Sequence, residues 1–222
     1  LANGFPINTF YGYVTDGIFQ NWEEVNSHAF QSTETCPGDI RFKDLNNDGK
    51  INEDDRTVIG NPSPKWIFSM NNNLSYKGFD LSIYLQGVSG NDIFNANNIM
   101  NEGMAGAANQ TTAVLNRWTG EGTSYVMPRA VLNDPAKNNR VSDRWVEDGS
   151  YLRIKNITLG YNFPQKWIKK LTLENARLFV SCDNVATITG YSGFDPEVDI
   201  NGIDNNRYPI SRTLSLGVNF NF

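Results

Sequence analysis

The sequence predicts an all-β fold: an antiparallel segment of a transmembrane β-barrel, with about six strands and long extracellular loops. First, several segments alternate between apolar and polar residues with a period of two, which indicates strands with one face of each kind. Second, these segments are about as long as the 9–11 tilted residues that cross a membrane. Third, short and long connections alternate along the chain, as they do in outer-membrane barrels.

Six segments follow this alternation. They are residues 9–19, 65–77, 79–87, 151–163, 177–189 and 213–222. The second and third meet at Tyr76-Lys77-Gly78-Phe79, a sequence typical of a tight hairpin. In the fourth, the apolar positions change parity near Asn156, which predicts a β-bulge. In the last, apolar residues occupy every even position from Leu214 to Phe222.

The connections between these strands differ strongly in length. The hairpin turn is short, and residues 164–174 are of moderate length, with one helical turn expected near Trp167. Residues 20–64, 91–150 and 190–212 are long, and loops of this length are uncommon in compact soluble domains. Residues 105–118, within the second long loop, predict a helix. Long loops of membrane barrels lie outside the cell, so we expect these loops there.

Composition and charge disfavour several functions. The 222 residues carry a net charge of -5, which argues against nucleic acid as a partner. His28 is the only histidine, so catalytic triads and multi-histidine metal sites have little basis. The sequence contains no Walker, dinucleotide-binding or Gly-x-Ser-x-Gly motif. No apolar stretch is long enough to predict a transmembrane helix. We therefore expect a protein that is not an enzyme.

An acidic loop that begins at Asp44 follows the spacing of a twelve-residue calcium-binding loop. Gly49 stands at the sixth position, where such a loop turns sharply. The oxygen donors are the side chains of Asp44, Asn46, Asp48, Asn52 and Asp55, with the backbone carbonyl of Lys50. Residues 39–60 therefore predict a calcium-loop-like extracellular insertion with a structural Ca²⁺. The sequence departs from the calcium-loop pattern at position twelve, which is Asp rather than Glu. The alternative is a metal-free turn rich in Asp, Asn and Gly.

Two other groups of residues are candidate sites. Asp195, Glu197, Asp199 and Asp204 cluster in one loop, and a pair of carboxylates could carry out glycoside hydrolysis. A solvated, charged loop is the preferred interpretation, because nothing in the sequence supplies a cleft or a raised pKa. The aromatic residues Trp118, Tyr125 and Trp145 are possible ligand contacts, by stacking on a sugar ring or an apolar side chain. The alternative is that these rings pack the loops together.

Several motifs, taken together, resemble the C-terminal part of the SusC/RagA family of TonB-dependent outer-membrane transporters of Bacteroidetes. The residues that carry the resemblance are FYGYVTDGIF at 10–19, GDIRFKDLNNDG at 38–49, DRTVIGNP at 55–62, NLSYKGFDL at 73–81, DGSYLRIKNITLGY at 148–161, GFDPE at 193–197 and YPISR at 208–212. These motifs are spread over nearly all of the chain. Jointly they are highly specific, although the acidic loop alone also resembles dockerin repeats.

The resemblance implies a barrel of about 22 strands, of which this chain supplies roughly the last quarter. The whole protein would lie in the bacterial outer membrane and import glycans or peptides with energy transmitted through TonB. Its partners would be a SusD-like lipoprotein lid, the remainder of the barrel and membrane lipid. Leu1-Ala-Asn-Gly-Phe-Pro lacks the features of a signal peptide. The chain is therefore expected to be a piece of a longer protein, with the plug and the TonB-contact segment outside it.

One alternative from a different class stays open at this point. The alternating strands also fit a soluble, extracellular, calcium-stabilised β-sandwich that binds carbohydrate or protein. In a sandwich the apolar face of each strand packs on a second sheet. In a barrel the same face contacts lipid and the polar face lines the lumen.

Overall fold

The structure is a computed structural model that describes residues 4–169 and 172–222. The expectation that the first residues are not a signal peptide falls mainly on residues 1–3, which lie outside the described part. The chain divides into two compact units. The sheet unit comprises Pro64–Asn91, Asp148–Glu197 and Tyr208–Phe222, and the loop unit comprises Leu1–Ser63, Asp92–Glu147 and Val198–Arg207.

Strands dominate the described residues. In chain order they are β1 Phe10–Gly12, β2 Thr15–Ile18, β3 Ile40–Phe42, β4 Thr57–Gly60, β5 Trp66–Tyr76, β6 Phe79–Ser89, β7 Asp92–Asn95, β8 Val146–Asp148, β9 Tyr151–Asn162, β10 Asn175–Thr189, β11 Ile203–Asp204 and β12 Thr213–Asn221. The α-helices are α1 Trp22–Ser27, α2 Ala96–Glu102 and α3 Gln165–Ile168, and 3₁₀ turns cover Glu53–Asp55, Thr112–Asn116 and Asp143–Trp145. Within the described part of the chain, no helix has both the length and the apolar character to cross a membrane.

The sheet unit contains one antiparallel sheet in the order β12-β10-β9-β6-β5. It confirms five of the predicted strands, and their lengths of 9 to 15 residues suffice to cross a membrane. The connections after β5 and β9 are short, whereas those after β6 and β10 are long. The long connections therefore leave one end of the sheet and the short ones the other, as expected.

Two local predictions in this sheet are confirmed. Lys77 and Gly78 both have positive φ, at 48° and 90°, as the tight two-residue hairpin turn requires. In β9, Asn156 lies opposite Tyr84 and Ile154 lies opposite Leu85, so the intervening Lys155 has no partner in β6. This extra residue is the predicted β-bulge, and it restores the apolar residues after it to the same face as those before it.

The structure corrects the prediction of a sixth strand in this sheet. Residues 9–19 do not join the five-stranded sheet but form β1 and β2, which pair with β4 and β3 in the loop unit. Gly12 is the last residue of β1, and Gly17 lies within β2, where the register with β3 shifts. A Cβ on Gly12 would lie 2.6 Å from the carbonyl oxygen of Val141, and Gly17 has a φ of +90°. Neither environment suits a long regular strand.

The predicted helix over residues 105–118 is also corrected. A regular helix forms earlier, at α2, and only the 3₁₀ turn Thr112–Asn116 falls within the predicted range. The expected helical turn near Trp167 is confirmed by α3. Gly106, Asn109, Thr111, Thr112 and Asn116 are poor helix formers and are spread through residues 105–118, which disfavours a longer regular helix there.

One face of the five-stranded sheet is apolar from edge to edge. A single row across the strands consists of Leu74, Leu81, Leu159, Val180 and Leu216. The outer side chains of this row are exposed, at 62% for Leu74 and 77% for Leu216. A sandwich would cover such a face with a second sheet. The exposed apolar face therefore supports the membrane-barrel prediction over the soluble sandwich.

The loop unit has small cores of its own. Ile18, Ile40, Phe42 and Ile51 form one buried cluster, and a second is formed by Phe10, Phe94 and Trp145. Asp39 is fully buried, and Arg129 donates two hydrogen bonds to its carboxylate, at 2.8 and 3.2 Å. This pairing satisfies the buried charge and joins segments that are far apart in sequence. Residues 39–60 lie within this unit.

Candidate functional site

The face opposite the apolar row is polar across all five strands. The next row consists of Asn73, Ser82, Thr158, Ser181 and Ser215. Thr158 and Ser181 share a hydrogen bond of 2.8 Å, and Asn156 donates to Ser181 at 2.8 Å and to Asp183 at 2.7 Å. Strand alternation places these side chains together because residues two apart share a face. The result is a polar face on which side-chain hydrogen bonds join β9 and β10.

An ion pair crosses this polar face near the short-connection end of the sheet. Arg177 on β10 donates two hydrogen bonds to Asp80 on β6, although β9 lies between them. The pair passes over Gly160, where an added Cβ would lie 2.5 Å from Arg177 Nη2 and 2.6 Å from Asp80 Oδ1. Asn162 donates a further hydrogen bond of 3.0 Å to Asp80. The missing side chain at Gly160 is therefore what lets the two charges meet.

A second ionic cluster surrounds Arg153 in β9, which is only 2% exposed. Its Nη2 donates to Asp195 at 2.5 Å, its Nη1 to Glu197 at 2.8 Å and its Nε to the hydroxyl of Thr187 at 2.8 Å. Lys155, the bulge residue, donates to the same Glu197 oxygen at 2.9 Å. The cluster thereby ties the 193–197 motif to the polar face of the sheet.

This cluster corrects the interpretation of Asp195 and Glu197 as a solvated loop. Asp195 is only 9% exposed, and both carboxylates accept hydrogen bonds from Arg153. Both carboxylates are thus ion-pair partners of Arg153 within the sheet unit. The sequence signal for this pairing is Arg153 itself, a cation placed on the polar face of a strand with no acid beside it in sequence.

The acidic loop is closed by its own hydrogen bonds. Asp44 accepts from the backbone amides of Asn47 at 2.7 Å and Gly49 at 2.8 Å. Asp55 is fully buried, and its two oxygens accept from the amides of Leu45 and Asn52, both at 2.8 Å. Gly49 has a φ of +80°, which meets the need for a sharp turn. These contacts form Asx-type turns, in which an aspartate side chain accepts from backbone amides a few residues on.

The remaining oxygen donors of the loop lie near its surface. Asp48 is exposed and accepts from the amide of Lys50 at 2.9 Å, and Asn46 and Asn52 each donate to its other oxygen. Among the residues that the structure describes, no group of three or more His, Cys, Asp or Glu side chains is placed to hold a metal ion. A cation here would therefore depend on asparagine and backbone oxygens as well as on Asp44 and Asp48.

The three predicted ligand-contact aromatics occupy different environments. Trp145 is 1% exposed and packs in the core with Phe10 and Phe94, so the structure makes it a core residue instead of a surface contact. Trp118 packs against the Ile18 cluster and donates a hydrogen bond to Gln20 at 3.2 Å. Only Tyr125, which is 64% exposed, presents its ring to solvent.

Tyr125 lines a cavity of about 310 Å³ within the loop unit, together with Arg144 and Ile40. Burial lowers the pKa of Arg144 to about 10, which still leaves its guanidinium charged at neutral pH. The guanidinium stacks 4.2 Å from the ring of Trp145 and donates to the backbone carbonyl of Glu102 at 3.2 Å. Sequence reasoning missed this arginine, because its bond to Glu102 joins residues 42 apart in sequence.

The fold and its two-faced sheet define a class of protein, the segment of an antiparallel outer-membrane β-barrel. The comparisons with known proteins then confirm the resemblance that the sequence motifs indicate, to TonB-dependent receptors of the SusC/RagA family. They also confirm the expected location, the bacterial outer membrane. No protein-family model matches the chain.

Two named receptors show how far the similarity extends. The chain is 36% identical over its full length to TonB-dependent receptor P3 of Formosa agariphila, of which it covers 23%. It is 28% identical over 99% of its length to TonB-dependent receptor SusC of Bacteroides thetaiotaomicron, of which it covers 20%. The chain therefore spans less than a quarter of the length of these relatives.

The solved structures of the RagAB peptide importer have a similar fold. In the open-open state, the match has a TM-score of 0.75 and covers 96% of this chain and 22% of the other, at 23% identity. The closed-closed state gives a TM-score of 0.73 over the same share of this chain. At this level of identity, the likeness concerns the fold alone.

Proposed function

We propose that this chain forms part of the barrel of a TonB-dependent outer-membrane transporter. The observation that carries the proposal is the five-stranded sheet with an unbroken apolar row on one face and an unbroken polar row on the other. In a transport barrel, the apolar row contacts lipid and the polar row lines the substrate path. The remainder of the barrel pairs with the two edge strands, because lipid does not tolerate unpaired strand edges.

The proposed cargo is a glycan or a peptide, and the proposed partner is a SusD-like lipoprotein that covers the outer mouth. The names of two similar proteins support this: one receptor is SusC, and the RagAB structures are of a peptide importer. The long connections of the loop unit would lie on the extracellular side, next to the partner. TonB would supply the energy through a plug and contact segment outside these 222 residues. The similar proteins are named as receptors and importers, and we propose no chemical reaction.

Uptake by whole cells tests the transport proposal. Cells that carry the complete receptor are given fluorescent oligopeptides or oligosaccharides, with tonB intact or deleted. We expect uptake of one of the two classes to require both TonB and the lipoprotein, which is expected to co-purify with the receptor. Equal uptake with and without TonB would contradict the proposal. Co-purification without any uptake would contradict the cargo assignment.

We also propose that the acidic loop binds one structural Ca²⁺. Calorimetric titration of the complete receptor is expected to show one site, which is lost when Asp44 and Asp48 are both changed to Asn, because these are the loop's accessible ligand carboxylates. Asp54→Asn is the matched control, since Asp54 is an exposed acid of the same loop outside the ligand set. Absence of heat at millimolar Ca²⁺, or equal loss in the control, would leave the loop as a metal-free turn.

A further inference from the structure

An apolar groove lies at the short-connection end of the sheet unit. Its floor is the apolar face of β10 and β12, at Leu178, Val218 and Phe220, and its wall is formed by Phe163 and Trp167. Its volume is about 340 Å³, within the range of ligand pockets. The groove is therefore large enough for a ligand, and its lining is almost entirely apolar.

The wall of the groove is firmly attached to the sheet. Ile168 of α3 is 3% exposed and packs with Leu173 and Ala176 in a small core, to which Phe163 adds its ring. The ring of Phe163 also contacts Tyr161 at 5.3 Å between centroids. The groove is thus part of the folded sheet unit.

Trp167 and the neighbouring charges indicate a membrane interface. Trp167 is 61% exposed, and aromatic rings of this kind form girdles at the edges of outer-membrane barrels. Lys166 and Lys169 flank it on the same turn, both are exposed, and neither forms an ion pair within the described part of the chain. Residues 164–174 contain three lysines and one glutamate, so this connection is cationic.

We propose that the groove binds one acyl chain of an anionic phospholipid, with the lipid phosphate beside Lys166 and Lys169. The inference rests on the proposed barrel function, because the groove is continuous with the apolar face that contacts lipid there. Short connections of such barrels lie on the periplasmic side, so the bound lipid belongs to the inner leaflet. An apolar groove next to a cationic turn matches the two parts of this ligand, a hydrocarbon chain and a phosphate.

Native mass spectrometry of the complete receptor, purified in a mild detergent, tests the proposal with phosphatidylglycerol as the added lipid. Val218→Trp fills the groove from its floor, and we expect binding of one lipid to weaken about tenfold or more. Leu214→Trp is the matched control, because Leu214 shares the strand and face but lies outside the groove lining. It is expected to bind as the unchanged receptor does.

A second variant tests the headgroup contact. Lys166→Gln with Lys169→Gln is expected to weaken phosphatidylglycerol binding several-fold and to weaken phosphatidylcholine binding less, because the choline cation offsets the charge of its phosphate. Equal lipid binding by the Val218→Trp and Leu214→Trp variants would contradict the proposal that the acyl chain binds in the groove. So would occupation by detergent alone or by a second copy of the receptor. Because binding is read on purified protein without cargo, a failure of transport in cells would count against the proposed function and not against this site.

Discussion

Replacing Arg153 with methionine is expected to destabilise the sheet unit by about 3–5 kcal/mol, the cost of breaking a buried ion pair by removal of one partner. Arg153 is 2% exposed, and its loss leaves Asp195, at 9% exposed, without its cation. It also removes the donor to Thr187. The free energy of unfolding of the complete receptor, measured by urea titration in lipid bilayers, checks this expectation.

Arg207→Met is the matched control for this variant. It removes the same type of side chain from an ion pair with Asp199, but these side chains are 51% and 76% exposed. Exposed pairs contribute only about 0–1 kcal/mol, so a small effect is expected. Adding Asp195→Asn to Arg153→Met removes the stranded charge and is expected to recover part of the loss. A loss below 1 kcal/mol in Arg153→Met would show that the cluster is not a structural anchor.

Replacing Leu216 with arginine is expected to cost about 2–4 kcal/mol and to reduce the amount of receptor assembled in the outer membrane. This is the cost of a cation on the lipid-facing side of a barrel near the middle of the membrane. Leu216 is 77% exposed on the apolar face and lies opposite Val180 near the centre of β12. Quantitative blotting of the outer-membrane fraction and urea titration in bilayers measure the two effects.

Ser215→Arg is the matched control on the other face. Ser215 is the preceding residue of β12 and lies opposite Ser181 in the polar row. An arginine there would face the lumen, where water solvates it, so we expect near-normal assembly. Equal damage by both substitutions would contradict the assignment of the two faces. A soluble, correctly folded Leu216→Arg protein would contradict the membrane location of this sheet.

Much of the sheet unit was predictable from the sequence because its signals are local. The parity of apolar residues depends only on positions two apart, so it identified five strands and their lipid-facing sides. The change of parity near Asn156 predicted the bulge at Lys155, and the Lys77-Gly78 pair predicted the hairpin turn. Each of these features is decided within a few residues of backbone, which is why no knowledge of the rest of the chain was needed.

The loop unit was less predictable, since its short elements depend on distant neighbours. Residues 9–19 alternate between polar and apolar residues, as a membrane strand does. In the structure, Gly12 closely approaches the backbone of Val141, and the segment forms two short strands. Trp145 is an aromatic residue of the kind that often contacts ligands. The structure instead buries it with Phe10 and Phe94, each more than 50 residues away in sequence. Secondary-structure propensity and hydrophobic periodicity are local properties. They predict neither the contact of Gly12 with Val141 nor the burial of Trp145.

The amino-acid sequence by itself determined the two-faced strands, the alternation of short and long connections, and the acidic loop with its turn at Gly49. Only the tertiary structure decided which charges meet. Arg153 and Asp195 are 42 residues apart, and Asp80 and Arg177 are 97 apart and meet only because Gly160 leaves space between their strands. The physical reason is that side-chain pattern is set along one strand, whereas ion pairing across strands depends on register and on where a loop returns to the sheet.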